Sequence, residues 1–439
     1  MLQKLIKNHI SELKSAIPII FITGMSMFFG LFREVLCAAL MGATAGMDRF
    51  LIAYMPFDLI QPATRDISAG GIGLTGSPEL PEYTAIFKRF FFQCIQIGGL
   101  TTALYMIIFW FGRSLFNIPD SYRSEWLIII ISVGASIFFA MVHAPLCTHF
   151  VNKGNVLFQA SQNLWLNIGM ILLLLIGTQY SCAVRLAFGI VLGSGFLLIL
   201  EYSFFKKEPL TKPNVNCNKK TDTVFIFTIV FIILQAIGSK GQILVERTLG
   251  LGLPEGYIAS LHYAQRFYAI PFNLLICAIV LPMVPRLAMA HRNRDPRRIM
   301  HIGKRSCILA SLLIIPSLVL INIWGEPIVA LLLERGLFTS KDSHLVSQLL
   351  MIYSFGAPGW IMTDVCVRIL WIIGNSGLTV IIIWLGIGVY YLIGCMLIGQ
   401  YGVRGMAASS AIFFNIIGLA FFLTVKHCLR KQTFRPDNE

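Results

Sequence analysis

Ten charged residues stand within otherwise apolar stretches: Arg33, Glu34, Asp58, Arg65, Asp66, Lys240, Glu246, Arg266, Asp364 and Arg368. A charge at bilayer depth is costly and ordinarily faces a protein interior or a wet cavity. Their spacing gathers them with uncharged polar groups on single helix faces. Gln235, Ser239, Gln242 and Glu246 fall on one face. So do His262, Arg266 and Asn273, then Asp58, Gln61, Arg65 and Ser68, then Gln159, Asn163 and Asn167. Polar faces in both halves of the chain predict a shared central cavity.

Two chemistries compete for these groups. Polar side chains bridge membrane helices routinely, and Asp364 and Arg368 are spaced i, i+4 with the acid first, the order that favours a local structural pair. Arg33, Lys240 and Arg266 have no acid at i±4 on their own helices. Glu34 adjoins Arg33, but adjacent helical residues do not face each other. Cations of this kind in a wet cavity suit an anion, phosphate above all, through charge-assisted hydrogen bonds. His262 taken alone reads first as a packing histidine.

The elements that must position these groups are membrane helices. Of 439 residues 56% are apolar and 13% charged, against roughly 25% charged in soluble domains. Apolar stretches recur from Ala16 to Val425, each near the roughly 20 residues that a spanning helix needs. Unbroken runs such as Ile128–Ile131 lack the alternation of a membrane barrel. Spans are predicted near 17–41, 47–72, 87–111, 125–149, 156–178, 183–204, 223–247, 257–283, 302–323, 343–372, 378–399 and 405–425. The fold class is therefore all-α and polytopic, with about twelve transmembrane helices in two six-helix lobes around a central cavity.

Residues 1–16 form an amphipathic cytoplasmic N-terminus, 17–204 the first lobe, 205–222 a basic cytoplasmic linker, 223–425 the second lobe and 426–439 a basic cytoplasmic tail. Met41-Gly42 before Asp48 and Leu249-Gly250 before Tyr257 are a faint echo between the halves, as in transporters built from repeats.

The net charge of +14 follows topology rather than nucleic acid. Basic segments alternate with loops of mostly single charges, and this asymmetry puts both termini in the cytoplasm. Arg292 to Arg298 reads as such a topology signal, and its charge also suits anionic lipid headgroups. Trp110, Trp126, Trp324 and Tyr390 read as interfacial anchors. The ten cysteines show no metal-ligand or disulfide spacing. No P-loop, H-E-x-x-H or G-x-S-x-G motif occurs, so the chain reads as no enzyme and no cofactor is expected. A coupling ion of unassigned identity fits a transporter.

Three stretches resemble one family. They are Gly30-Leu31-Phe32-Arg33-Glu34 with Met41-Gly42 and Asp48-Arg49-Phe50; Tyr263-Ala264-Gln265-Arg266-Phe267-Tyr268 with Leu281-Pro282 and Pro285-Arg286-Leu287; and Leu333-Glu334-Arg335-Gly336-Leu337-Phe338-Thr339 with Gly356, Pro358 and Gly374-Asn375. Together they resemble the lipid II flippase (MurJ/MviN-like) family of the multidrug/oligosaccharidyl-lipid/polysaccharide exporter superfamily. The resemblance implies a flippase of the bacterial inner membrane that moves an undecaprenyl-diphosphate-linked glycan by alternating access. It implies that Arg33 and Arg266 are cavity arginines, that Asp48 is the acid opening span two, and that Asp66 is the candidate for the acid near that span's end. Met27, Gln61 and Gln265 stand where family members often carry charged residues, and the family commonly has fourteen spans.

The expected substrate site is thus Arg33, Arg266 and Lys240, lined by Asp48, Arg65, Asp66, Gln242, Glu246 and His262. Expected partners are the lipid-linked glycan, membrane lipids and glycan-synthesis enzymes. The alternatives are a drug/cation antiporter on the same fold, which predicts an acidic cavity, and a non-transporting scaffold for glycan synthesis, which predicts silent cavity mutations.

Overall fold

A computed structural model describes residues 2–75, 83–114, 116, 118–153, 155–176, 179–206, 231, 234–235, 237–275 and 279–433. Among the described residues every regular element is helical. The chain divides into two compact units, residues 1–41 with 49–237 and residues 42–48 with 238–439. Most of the expected linker 205–222, and the opening of expected span seven, lie outside the described residues.

The first unit holds α1 (Leu2–Met41), α3 (Tyr83–Phe111), α4 (Arg123–Asn152), α5 (Leu157–Ile176), α6 (Cys182–Phe205) and most of α2 (Ala45–Thr75). The amphipathic segment 1–16 and the first span share one continuous helix, with no break at residue 17. α5 and α6 pack backbone to backbone: a Cβ on Gly189 would lie 2.4 Å from the Met170 Cα. Small residues permit such approaches where lipid supplies no hydrophobic drive.

The second unit holds α7 (Gly241–Gly250), α8 (Tyr257–Leu275), α9 (Leu281–Arg292), α10 (Pro296–Leu333), α11 (Ser340–Ser354), α12 (Ala357–Ile372) and α13 (Ser376–Thr433). The expected span 257–283 is divided between α8 and α9. α13 leaves helical geometry at Gly402 (φ 57°, ψ −136°), so it covers the last two expected spans. α11 and α12 are bent by 52° at the short break between them.

The turn between α10 and α11 explains one of the three resembling stretches physically. Gly336 takes a left-handed φ of 62°, a conformation that costs glycine no Cβ strain. Thr339 then caps α11: its hydroxyl accepts from the Asp342 amide, while the Asp342 carboxylate accepts from the Thr339 amide at 2.8 Å. This reciprocal box satisfies two otherwise orphaned donors.

Seven described helices are long and apolar enough to cross a membrane, or eight with the bent pair counted as one span. α2 and α8 are not among them; they carry Asp58, Gln61 and Arg65, and His262 and Arg266. Leu104, Ile107, Ile308, Leu312 and Leu385 are all exposed, as lipid-facing residues should be. Two expected interfacial anchors are instead core residues. Trp126 is buried and donates through Nε1 to the Phe109 carbonyl at 3.1 Å, and Tyr390 is 0% exposed.

Candidate functional site: polar centres inside two helical units

In the first unit the polar faces of α1, α2 and α5 meet. Arg33 Nη1 donates to Asn167 Oδ1 at 3.0 Å and lies 3.8 Å from the Met170 sulfur. Asn167 in turn donates to the Ser26 carbonyl at 3.1 Å. One turn back along α5, Asn163 accepts from Gln61 Nε2 at 2.7 Å, and Gln162 donates to the Thr64 hydroxyl at 3.2 Å. Arg33 Nη2 also pairs with Glu34. That corrects the expectation that the adjacent Glu34 does not face Arg33. Neighbouring side chains diverge by about 100° around the axis, but the long arginine stem curls back far enough to close the gap.

A guanidinium has five N–H donors. Three of those on Arg33 are directed at Asn167, Met170 and Glu34, which leaves two (five minus three) free of described partners. The side chain is 12% exposed. This is a cation held by partners on α1 and α5 with hydrogen-bonding capacity in reserve.

The second unit is organised around an anion. Glu246 on α7 is buried. It accepts from Gln242 Nε2 at 2.9 Å, from the Tyr353 hydroxyl at 3.1 Å and from the Tyr390 hydroxyl at 2.9 Å. Gln265 on α8 also donates to it. Gln242 reaches on to the Ser410 hydroxyl at 2.7 Å. Four helices (α7, α8, α11 and α13) therefore converge on one carboxylate. Sequence reading found Gln242 and Glu246 but expected them to line the cavity; both carboxylate oxygens are instead enclosed by neutral donors.

Asp48 also differs from its expected cavity role. Its carboxylate accepts from the Gly256 amide at 2.5 Å and the Ala259 amide at 2.7 Å. It caps α8, where a negative charge meets the positive end of the helix dipole.

Lys240 is the N-cap residue of α7, and the Ile243 amide bonds back to its carbonyl at 2.9 Å. His262 is buried beside Tyr263, the two rings 6.0 Å apart. Arg266 is half-buried on α8. The side chains of Arg65 and Asp66 lie outside the described ones. Asp364 and Arg368 form a two-point pair at 3.0 and 3.4 Å, each 24% exposed.

The first unit contains a second polar pair that the sequence reading passed over. His143 Nδ1 on α4 lies 2.8 Å from Glu201 Oε2 on α6, both buried. The available signal was that each is an ionisable residue in an apolar run, which is itself a flag. Among the described residues no group of three or more His, Cys, Asp or Glu could hold a metal ion.

A sequence profile of the family described as lipid II flippase MurJ matches residues 126–435. A probable lipid II flippase from Buchnera aphidicola (strain APS) is 22% identical over 376 residues, covering 80% of this chain and 72% of the relative. Among solved structures, one of a lipid II flippase in an inward closed conformation superposes with a TM-score of 0.80 at 20% identity, covering 96% of this chain and 94% of that one. An inward-facing multidrug transporter of the MATE family superposes at 0.74 with 12% identity, covering 96% of this chain and 100% of that one. At these identities the superpositions establish a shared fold.

Proposed function

The chain belongs to the lipid II flippase MurJ family, and we propose that it moves lipid II, or a closely related undecaprenyl-diphosphate-linked glycan, across the bacterial inner membrane by alternating access. Membrane-crossing helices and family membership fit a multi-pass inner-membrane transporter rather than an enzyme. The alternation of basic segments supports cytoplasmic placement of both termini. Membrane lipids and glycan-synthesis enzymes are the partners this role implies.

The observation that carries the reading is Arg33: a guanidinium within a membrane-crossing helix, fixed by Asn167 and Glu34, with two donors left for a ligand. Phosphate oxygens match the planar fork of arginine. In this reading Arg33 in the first unit and Arg266 in the second each take a diphosphate oxygen during the cycle, with Lys240 adding charge. The prenyl tail stays in lipid. Substrate shifts a conformational equilibrium only by binding one state better, so these contacts must form more fully in one state. An ion gradient or the membrane potential supplies the energy.

The test is transport of defined undecaprenyl-diphosphate glycans by purified protein in proteoliposomes. Arg33→Ala and Arg266→Ala should each lose flipping while inserting normally. Full transport by both variants removes the proposed ligands. Efflux of cationic dyes in place of glycan transport would favour the antiporter alternative.

A further inference from the structure

Five basic residues surround one opening in the second unit. Arg297, His301 and Lys304 come from the first turns of α10, and Lys426 and Arg430 from the last turns of α13. The cavity holds about 350 Å³. Part of its wall is apolar, from Met300 and the buried Leu429. Like charges gathered at one mouth repel each other, and an anion seated among them would offset that repulsion.

Among the described residues, Arg297, Lys304 and Lys426 form no ion pair. Asp295, the nearest acid along the chain, is engaged as the N-cap of α10, accepting from the Arg298 amide at 2.9 Å. The Arg298 amide at that helix end is thus already capped, and attraction for an anion comes from the side chains.

The surface that continues from the mouth is apolar. His301, Lys304, Ile308, Leu312 and Ile315 follow one face of α10 at helical spacing. Lys426, Leu423 and Leu419 do the same on α13. The five apolar members of these stripes are each more than half exposed. A cationic mouth that opens onto two greasy stripes matches an amphiphile, with a phosphate in the mouth and an acyl chain along the helices. Free phosphate would have no use for the stripes.

We propose that this cavity seats the phosphate of an anionic phospholipid headgroup, with an acyl chain lying along α10 and α13. It is separate from the proposed glycan site and does not depend on it. The full-length protein is placed in nanodiscs of phosphatidylcholine containing a minor fraction of phosphatidylglycerol, and retained lipid is counted by native mass spectrometry.

Wild type should hold phosphatidylglycerol selectively. The double variant Lys304→Gln/Lys426→Gln should weaken that retention roughly 25-fold, about fivefold for each lost cation. Lys341→Gln, which removes an exposed charge elsewhere in the same unit, should leave it unchanged. Equal unfolding temperatures in pure phosphatidylcholine establish that the variants fold. Equal retention by wild type and the double variant would overturn the site. Stabilisation in pure phosphatidylcholine by inorganic phosphate, matching that from phosphatidylglycerol, would overturn the assignment to lipid.

Discussion

The two units bury opposite charges and settle them differently. In the first, Arg33 is gripped by Asn167 and Glu34 and keeps donors in reserve. In the second, Glu246 is enclosed by four neutral donors from three other side-chain positions on neighbouring helices and one on its own. A buried ion that is fully satisfied stiffens its surroundings; one that is partly satisfied retains a demand that a ligand can meet. In the proposed function, that contrast makes Glu246 an architectural group and Arg33 a recognition group.

Replacing Glu246 with Ala is the severest test of that contrast. It leaves the donors of Gln242, Gln265, Tyr353 and Tyr390 facing a void, and the expected loss is about 4 kcal/mol of stability. Unfolding of the detergent-solubilised variant measures it. A variant as stable as wild type that no longer transports would reverse the assignment. Tyr390→Phe removes one hydrogen bond to the same carboxylate and should cost about 2 kcal/mol. Urea or thermal unfolding compared with Tyr353→Phe would show whether the two hydroxyls contribute alike.

In the first unit Asn167→Ala should cost about 1 kcal/mol. Its sharper effect should be on transport, because Arg33 loses the amide that fixes it. A normal transport rate would show that the guanidinium needs no such support. The smallest effect belongs to Arg368→Ala. Its partly exposed i, i+4 pair is worth about 0.5 kcal/mol, and no change in flipping is expected.

Local periodicity made much of this legible. The polar faces that carry Gln61 and Asn163 are visible as i, i+4 patterns on separate spans, and so is the i, i+4 spacing of Asp364 and Arg368, whereas Arg33 stands out only as a charge in an apolar run. What escaped depends on contacts between distant parts of the chain. Tyr390 resembles an interfacial anchor in sequence because it sits in an apolar run; only folding brings it 2.9 Å from a carboxylate 144 positions away. Asp48 and the amide of Gly256 are separated by 208 positions, which no periodicity encodes. The Arg33–Glu34 contact was excluded by a rule about Cβ directions that a long flexible side chain can evade. Trp126 likewise lies where an interfacial anchor is expected, yet it closes a packed aromatic group with Phe109 and Phe116.

The cap on α8 has a practical corollary for dissecting the protein. The second unit is assembled from two pieces of polypeptide, since it includes the short stretch 42–48 as well as everything beyond 237. A gene divided at that later point would yield a downstream fragment whose α8 begins on bare amides. Complementation between separately expressed halves should therefore improve when a copy of the stretch ending in Asp48 is grafted ahead of the downstream fragment, and a graft carrying Asn in place of that aspartate should help less.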